Sequence, residues 1–352
     1  VPGGLFSKTT GRLRSLLNPE MQRYFPWAGL RHDVHKKLQA HNPDAIFAYH
    51  FDALSTVYDT NIAPVMAGVG DLWHLPAYFR WKIQPPSAKK YLIDGTYQLA
   101  YQIISKKLMT EMLKPCKRKG AFAAHYAEWF RRHCFTDTIY LRTPVHDSSG
   151  PDWKESRKKN KRSGKFKILM IGDLATTSTS TGIREFVFET LPILRNELGE
   201  NGFEVHLVGG GAPSDGILPH LNHGYIKLRG KVTPPDHEFL SSDLLLVPTP
   251  ITLGIRVRIV TAFSFGCPVV AHTANAAGIP ELMHDHNALL AGSGQGLTNE
   301  VVRMLRDNQL KDRLEEGGRS TFEKYFSEKV AAGYIVKEME NMIAENTGVS
   351  NK

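Results

Sequence analysis

Short apolar runs alternate with amphipathic stretches through the second half of the chain, in the rhythm of a sheet covered by helices. FKILMIGDL from Phe166 and FEVHLVGGG from Phe203 are near-continuous apolar runs of strand length, the kind buried on both faces of a parallel sheet. Between them GIREFVFETLPILRNEL has helical spacing. YIKLRGKV reads as a weaker strand, DLLLVPTP as a strand, RVRIVTAFSFG as a helix, CPVVAHT and NALLAG as strands. Helices are expected over Leu297–Gly317 and Phe322–Ile343. Strands alternating with helices predict a parallel sheet with helices on both faces.

The first half carries the same alternation less clearly. LRHDVHKKLQAHNPDAIFAYH predicts a helix, a turn at Asn42–Pro43 and a strand; APVMAGVGDL predicts a strand and its loop. A helix fits Tyr91–Lys114. GAFAAH reads as a strand leading to a helix around Tyr126–His133, and DTIYLRTPV as the next strand. The opening 30 residues hold no apolar strand followed by a Gly-rich turn, so the first domain is expected to be abbreviated or the chain to be a fragment. WKESRKKNKRSGKFK, Trp153–Lys167, is dense in charge without apolar periodicity and reads as a linker or exposed loop. The expected organisation is one domain over residues 1–150, a second over 165–322, and a C-terminal helix over 323–345 that crosses back to the first.

Charge sharpens this division. Residues 1–167 carry 28 Lys+Arg against 13 Asp+Glu, whereas residues 168–352 carry 16 against 22. The basic half is expected to face something anionic: nucleic acid, a membrane surface or a phosphate-bearing acceptor. No nucleic-acid motif accompanies it, so no nucleic-acid partner is expected. No apolar run approaches the roughly 20 residues that cross a bilayer, and VPGGLFSKTTGRLRSLL lacks the apolar core of a leader. Three cysteines at wide spacings make neither a metal pattern nor a disulfide framework. The expected location is cytoplasmic, peripheral to a membrane.

Two loops and a helix start carry the candidate chemistry. IGDLATTSTSTGIR, Ile171–Arg184, is a strand, a loop of small residues and a helix start, which lets backbone amides approach a phosphate; an ordinary strand–helix turn has the same pattern. LVGGGAP, Leu207–Pro213, is a second glycine turn after a strand. Gly254 is followed by Arg256 and Arg258 at a helix start. Cations there oppose the helix dipole. Either a bound diphosphate offsets them or nearby carboxylates do.

The order of these motifs resembles the nucleotide-sugar-binding domain of the retaining glycosyltransferases of family 4. The matching positions are Gly172, Val208–Gly211, Leu228–Val232, Asp243–Pro248, Gly254–Arg258, Ala262–Val270, Gly278–Glu281 and Asn287–Leu290. The ordered set is specific although no single member is. In the first half, NPDAIFAYH and PVMAGVGDLWHLP resemble that family's P-D-x-I-x-x-H and V-x-T-x-H-D-L segments. The resemblance implies an α/β chain of GT-B architecture, two Rossmann-like domains facing a central cleft. The implied donor-binding residues are Gly172, Thr181, Arg184, Gly210, Arg256, Arg258 and Thr261, and the candidate catalytic residues are Asp71, His50 and His74.

Departures from the pattern bear on mechanism. The two glutamates of the family's donor site fall on Leu253 and Thr261, and its histidine falls on Gly70, for which His50 and His74 are candidate substitutes. Asp71 is a general base at a strand end or a residue that caps its own loop. Whether transfer retains or inverts configuration stays open. The implied function is transfer from a nucleotide-activated sugar, bound as substrate, to a glycan or lipid-linked cell-envelope acceptor. No cofactor is expected, and no metal, because no Asp-x-Asp is present. An anionic membrane surface is a further expected partner. The alternatives are a catalytically silent GT-B protein that binds a sugar nucleotide or a partner, and a GT-B enzyme of another reaction such as a sugar-nucleotide epimerase.

Overall fold

The computed structural model describes residues 30–83, 88–160, 164–213 and 216–347. The opening segment, with Trp27, and Lys161–Ser163 of the charged stretch lie outside them. The chain divides into two compact units: one reaches to Leu141 and takes in the chain again from Tyr334, and the other is Arg142–Gly333.

Unit 1 begins with α1 (Arg31–His41), which ends on Asn42 in the left-handed conformation. Then follow β1 (Ile46–Tyr49), α2 (His50–Val57), β2 (Val65–Val69), α3 (His74–Ile83), α4 (Ala88–Leu113), β3 (Arg118–Ala121), α5 (Ala124–His133) and β4 (Ile139–Tyr140). The four strands are parallel, in the order β1-β2-β3-β4. Successive residues of β2 point to opposite faces. Val65, Ala67 and Val69 join a core with Leu54, Met109 and Phe130, while Met66 packs with Phe122, Leu141, Ile335 and Met342 on the other face.

Unit 2 contains α6 (Trp153–Asn160), β5 (Phe166–Ile171), α7 (Thr177–Glu185), a π turn (Phe186–Thr190), α8 (Leu191–Leu198), β6 (Phe203–Val208), β7 (Ile226–Gly230) and α9 (Asp236–Ser241). It continues with β8 (Leu244–Val247), α10 (Val257–Ser264), β9 (Val269–His272), β10 (Leu289–Ala291), α11 (Gly294–Arg306), α12 (Asn308–Thr321) and a second π turn (Phe322–Phe326). Six parallel strands run β10-β9-β8-β5-β6-β7. Ile168, Leu244 and Leu246 enter one core, and Leu169, Leu245 and Val247 the other. The apolar runs are continuous because both faces of these strands are buried. The helix expected over 323–345 is the second π turn followed by α13 (Glu328–Thr347), which begins in unit 2 and from Tyr334 belongs to unit 1.

The charged stretch is not a loop over its described first part. Residues Trp153–Asn160 form α6. Its buried face is Trp153, against Gly266, and Arg157 one turn later. Arg157 donates to the carbonyls of Phe239 at 3.1 Å and Ser242 at 3.2 Å and pairs with Glu315 at 3.3 Å. A guanidinium that satisfies buried carbonyls takes the place of an apolar stripe, so the hydropathy pattern concealed this helix.

The charge division also changes. Counted by unit, the segment to Leu141 with that from Tyr334 holds 21 Lys+Arg against 13 Asp+Glu, and Arg142–Gly333 holds 23 against 22. Much of the basic excess read into the first half thus belongs to residues 142–167 of unit 2. Among the described residues no helix is long and apolar enough to cross a membrane.

Candidate functional site

In unit 2 the strand order places a topological switch between β5 and β8: from β5 the sheet grows through β6 and β7 on one side and through β8, β9 and β10 on the other. Loops diverge at the carboxyl ends of such strands and leave a crevice there. After β5 the chain turns at Gly172, whose φ of 146° lies in the region that favours glycine. The glycine turn after β6 interlocks with this one. Gly172 N–H donates to Val208 O and Leu174 N–H to Gly210 O, both at 2.9 Å, and a Cβ at Gly209 would collide with the Gly172 carbonyl.

Asp173 fixes the rest of the turn by accepting from Ala175 N–H at 2.9 Å, and Thr176 donates to the Asp173 carbonyl at 2.9 Å. The first turn of α7 therefore starts beside Gly172, with its amide ends and dipole toward the carboxyl edge of the sheet. On the other side, the Asn275 amide donates to the carbonyls of His272 (2.7 Å), Thr249 (3.3 Å) and Val247 (3.4 Å). That single side chain ties the ends of β8 and β9 together.

The two arginines diverge, as residues two apart on a helix must. Arg256 stands at the N-cap of α10 and is buried. It donates to the carbonyls of Leu253 and, at 3.3 Å, Ile251, which anchors the loop before the helix. Arg258 points to the β5 turn. Its Nη1 donates to Thr179 Oγ1 at 3.0 Å, and a Cβ at Gly172 would collide with it. Among the described residues no carboxylate pairs with Arg258. Burial, and then the positive charge of Arg256, press its pKa down to about 9.

The other donor-site residues fall as follows. Gly210 has open space above its Cα. Thr181 is buried and donates to Thr177 O at 2.6 Å. Arg184 is in the last turn of α7, exposed and over the Phe188 ring at 5.0 Å. Thr261 donates to Val257 O at 3.1 Å. Thr181 and Thr261 thus give their hydroxyls to their own helices, and Arg184 is not brought to the Gly172–Arg258 junction. Thr179, which the sequence did not single out, is the residue that meets Arg258. Its only signal was membership of the small-residue loop.

In unit 1 the carboxyl ends of β1 and β2 carry the candidate catalytic residues. Asp71 is exposed just after β2. His50 is half-buried at the β1–α2 junction with φ 64°. Its pKa is lowered by burial and partly restored by the Asp71 and then the Asp52 carboxylates. Tyr49, another residue missed in the sequence, is 49% exposed, and its ring lies 3.9 Å from that of His50. His74 differs from both. It is 2% exposed at the start of α3, and burial, with Lys106 nearby, pushes its pKa down to about 4.

His74 is therefore held neutral as part of the packing, and this predicts a pH effect on stability. The folded pKa lies below the unfolded one, so the unfolded chain binds more protons between pH 6.5 and 4. Stability from His74 is present above about pH 6.5 and is lost as pH falls toward 4, by something on the order of 3 kcal/mol. Urea midpoints of wild type and His74→Leu between pH 7 and 4.5 check this. The variant should show the smaller decline, and equal declines would remove His74 as the cause.

Among the described residues, His284, Asp285 and Glu300 bring metal-capable atoms together. Asp285 and Glu300 are paired with Arg303 at 2.7 and 3.1 Å, so the group is an ion-pair cluster on the surface.

Two parallel α/β units, the second with interlocked glycine turns and Arg258 at its switch point, define a chain of the GT-B fold. Residues 165–307 match the family described as glycosyl transferases group 1. Sucrose-phosphate synthase from Thermosynechococcus elongatus superposes with a TM-score of 0.67 at 13% identity, over 91% of this chain and 78% of that one. HepE of Anabaena, in complex with UDP and glucose, superposes with a TM-score of 0.64 at 16% identity, over 87% and 80%. WaaG, a glycosyltransferase involved in lipopolysaccharide biosynthesis, gives 0.55 at 13%, over 88% and 80%. No curated protein sequence matches the chain. At these identities the structural likenesses establish the fold, and residues 165–307 are similar to the group 1 glycosyl transferases.

Proposed function

We propose that the chain transfers a sugar from a nucleotide diphosphate sugar to a glycan or lipid-linked acceptor of the cell envelope, without a metal ion. The observation that carries this reading is Arg258: a cation pressed by burial and by Arg256, with a hydroxyl and, among the described residues, no carboxylate as partner. A half-buried charge held beside another cation calls for a counter-charge. A diphosphate between Arg258, the first turn of α7 and the Gly210 turn supplies it. The same groups then stabilise the nucleoside diphosphate as it leaves. HepE binds UDP and glucose in a chain of the same fold, which supports a sugar nucleotide as donor. Asp71, exposed at a strand end, is the proposed general base for the acceptor hydroxyl.

A thermal-shift screen of UDP, GDP, CMP and dTDP sugars, with and without EDTA, tests this reading. One nucleotide class should raise the melting temperature, unaffected by the chelator. No shift with any of them would remove the donor site.

The proposed membrane-facing acceptor rests on unit 1. Leu99 and Ile103, 62% and 59% exposed, lie one turn apart on α4, with exposed Lys107 a turn further on. Apolar and basic groups on one helix face suit an anionic bilayer surface. Binding to liposomes containing anionic lipid is expected to fall steeply between 50 and about 500 mM salt. Leu99→Ser/Ile103→Ser should weaken it further. Binding that ignores lipid charge would argue for an acceptor free in solution.

A further inference from the structure

The β1–α2 junction is built around one imidazole. His50 follows directly on β1 and opens α2, and it holds φ 64°. A bulky side chain there is disfavoured, and strain of this kind persists only where surrounding structure enforces it. Among the described residues the other non-glycine positions with such φ are Asn42, which terminates α1, and Asp285, in a surface ion-pair cluster. His50 terminates nothing. A sharp strand-to-helix turn of this kind lifts its side chain above the carboxyl edge of the sheet, where a substrate can reach it.

The neighbouring strand leaves room for the ring. A Cβ placed on Gly70 would collide with Cε1 and Nδ1 of His50, so the imidazole fills the space that a side chain at position 70 would take. Position 70 is where the V-x-T-x-H-D-L pattern has its histidine, with Asp71 and Leu72 following in register. Among the described residues the His50 imidazole has no hydrogen-bond partner. Its ring is held instead by Tyr49 at 3.9 Å and by the Gly70 backbone. The charged and titratable groups that face it are Asp71 at the end of β2, Asp52 on α2 and the Tyr49 phenol.

We propose that His50 is a substrate-contacting residue of the transfer reaction: its imidazole, carried by β1, stands over Gly70 in place of a side chain at that position and accepts a hydrogen bond from a hydroxyl of the sugar-bearing substrate. This rests on the transferase reading above. The lowered pKa keeps the ring neutral near pH 7, the form with a free acceptor nitrogen. Asp71 lies near enough to raise that pKa, so the two groups share one end of the sheet.

An exchange of positions tests it. Release of nucleotide from UDP, GDP, CMP and dTDP sugars is measured for wild type, His50→Ala, His50→Ala/Gly70→His and His50→Ala/Gly70→Ala. His50→Ala should lower kcat about tenfold or more, with the affinity for free UDP, or for whichever nucleotide binds, unchanged. The double variant with histidine at 70 should recover most of that loss, and the one with alanine at 70 none of it. Wild-type kcat should fall as pH drops below the ordinary imidazole range, and His50→Ala should lose that limb. Near-normal turnover in His50→Ala, or no recovery in a Gly70→His double variant of wild-type melting temperature, would overturn the proposal. If the wild type releases nucleotide from none of these sugars, the transferase reading falls. The seat itself is tested separately by the ring resonances of labelled histidine: Gly70→Ala should displace those of His50, and unmoved signals would refute the placement.

Discussion

Arg258→Ala should weaken donor binding by about 2 kcal/mol or more, close to thirtyfold, because it removes a charge-assisted contact from a partly desolvated site. Arg258 is the cation that reaches the β5 turn, and Thr179 aligns it at 3.0 Å. Arg258→Lys should restore only part of the affinity, since an ammonium keeps the charge but loses the planar fork. Arg256→Ala should behave differently. Its guanidinium holds the carbonyls of Leu253 and Ile251, so its loss should lower the melting temperature and affect nucleotide binding only through the loosened loop. Isothermal titration with the nucleotide picked out by the thermal-shift screen separates the two. Equal, wild-type affinities in both alanine variants would move the donor site elsewhere.

Asp71→Asn should lower turnover by about a hundredfold or more while donor affinity stays within a few fold. The substitution keeps size and hydrogen-bonding capacity and removes the charge. It therefore tests proton acceptance rather than loop capping, which an asparagine performs equally well. Asp71 is exposed, so its replacement should leave the melting temperature nearly unchanged. Near-normal turnover would return Asp71 to a capping role and remove it as the general base.

Much of this was legible along the chain, for identifiable reasons. β8 and most of β5 are buried on both faces, so their apolar runs are nearly unbroken, and the glycine turns after β5 and β6 stand out. The divergence of Arg256 and Arg258 follows from helix geometry alone. What was hidden depends on contacts between distant residues. α6 is held by Trp153 and by an arginine bonded to the carbonyls of Phe239 and Ser242, and no periodicity scale scores an arginine as core. α2 and α3 were not foreseen: α2 is an eight-residue helix that follows β1 without a break, and α3 carries Pro76 in its first turn. Thr179 gains its meaning only when α10 brings Arg258 beside it, and Gly70 only when the ring of His50 lies over it. The basic excess of the first half is smaller than its sequence suggests, because residues 142–167 fold with unit 2, but unit 1 keeps 21 Lys+Arg against 13 Asp+Glu.

The Arg258 site reaches beyond binding. A cation pressed by burial and by a neighbouring cation is relieved when an anion joins it, so a bound donor would act on the fold as well as serving as substrate. In a cell short of the activated sugar, more of these molecules would open locally and meet proteases. Abundance of the protein would then track the supply of its own substrate, with no dedicated regulator needed.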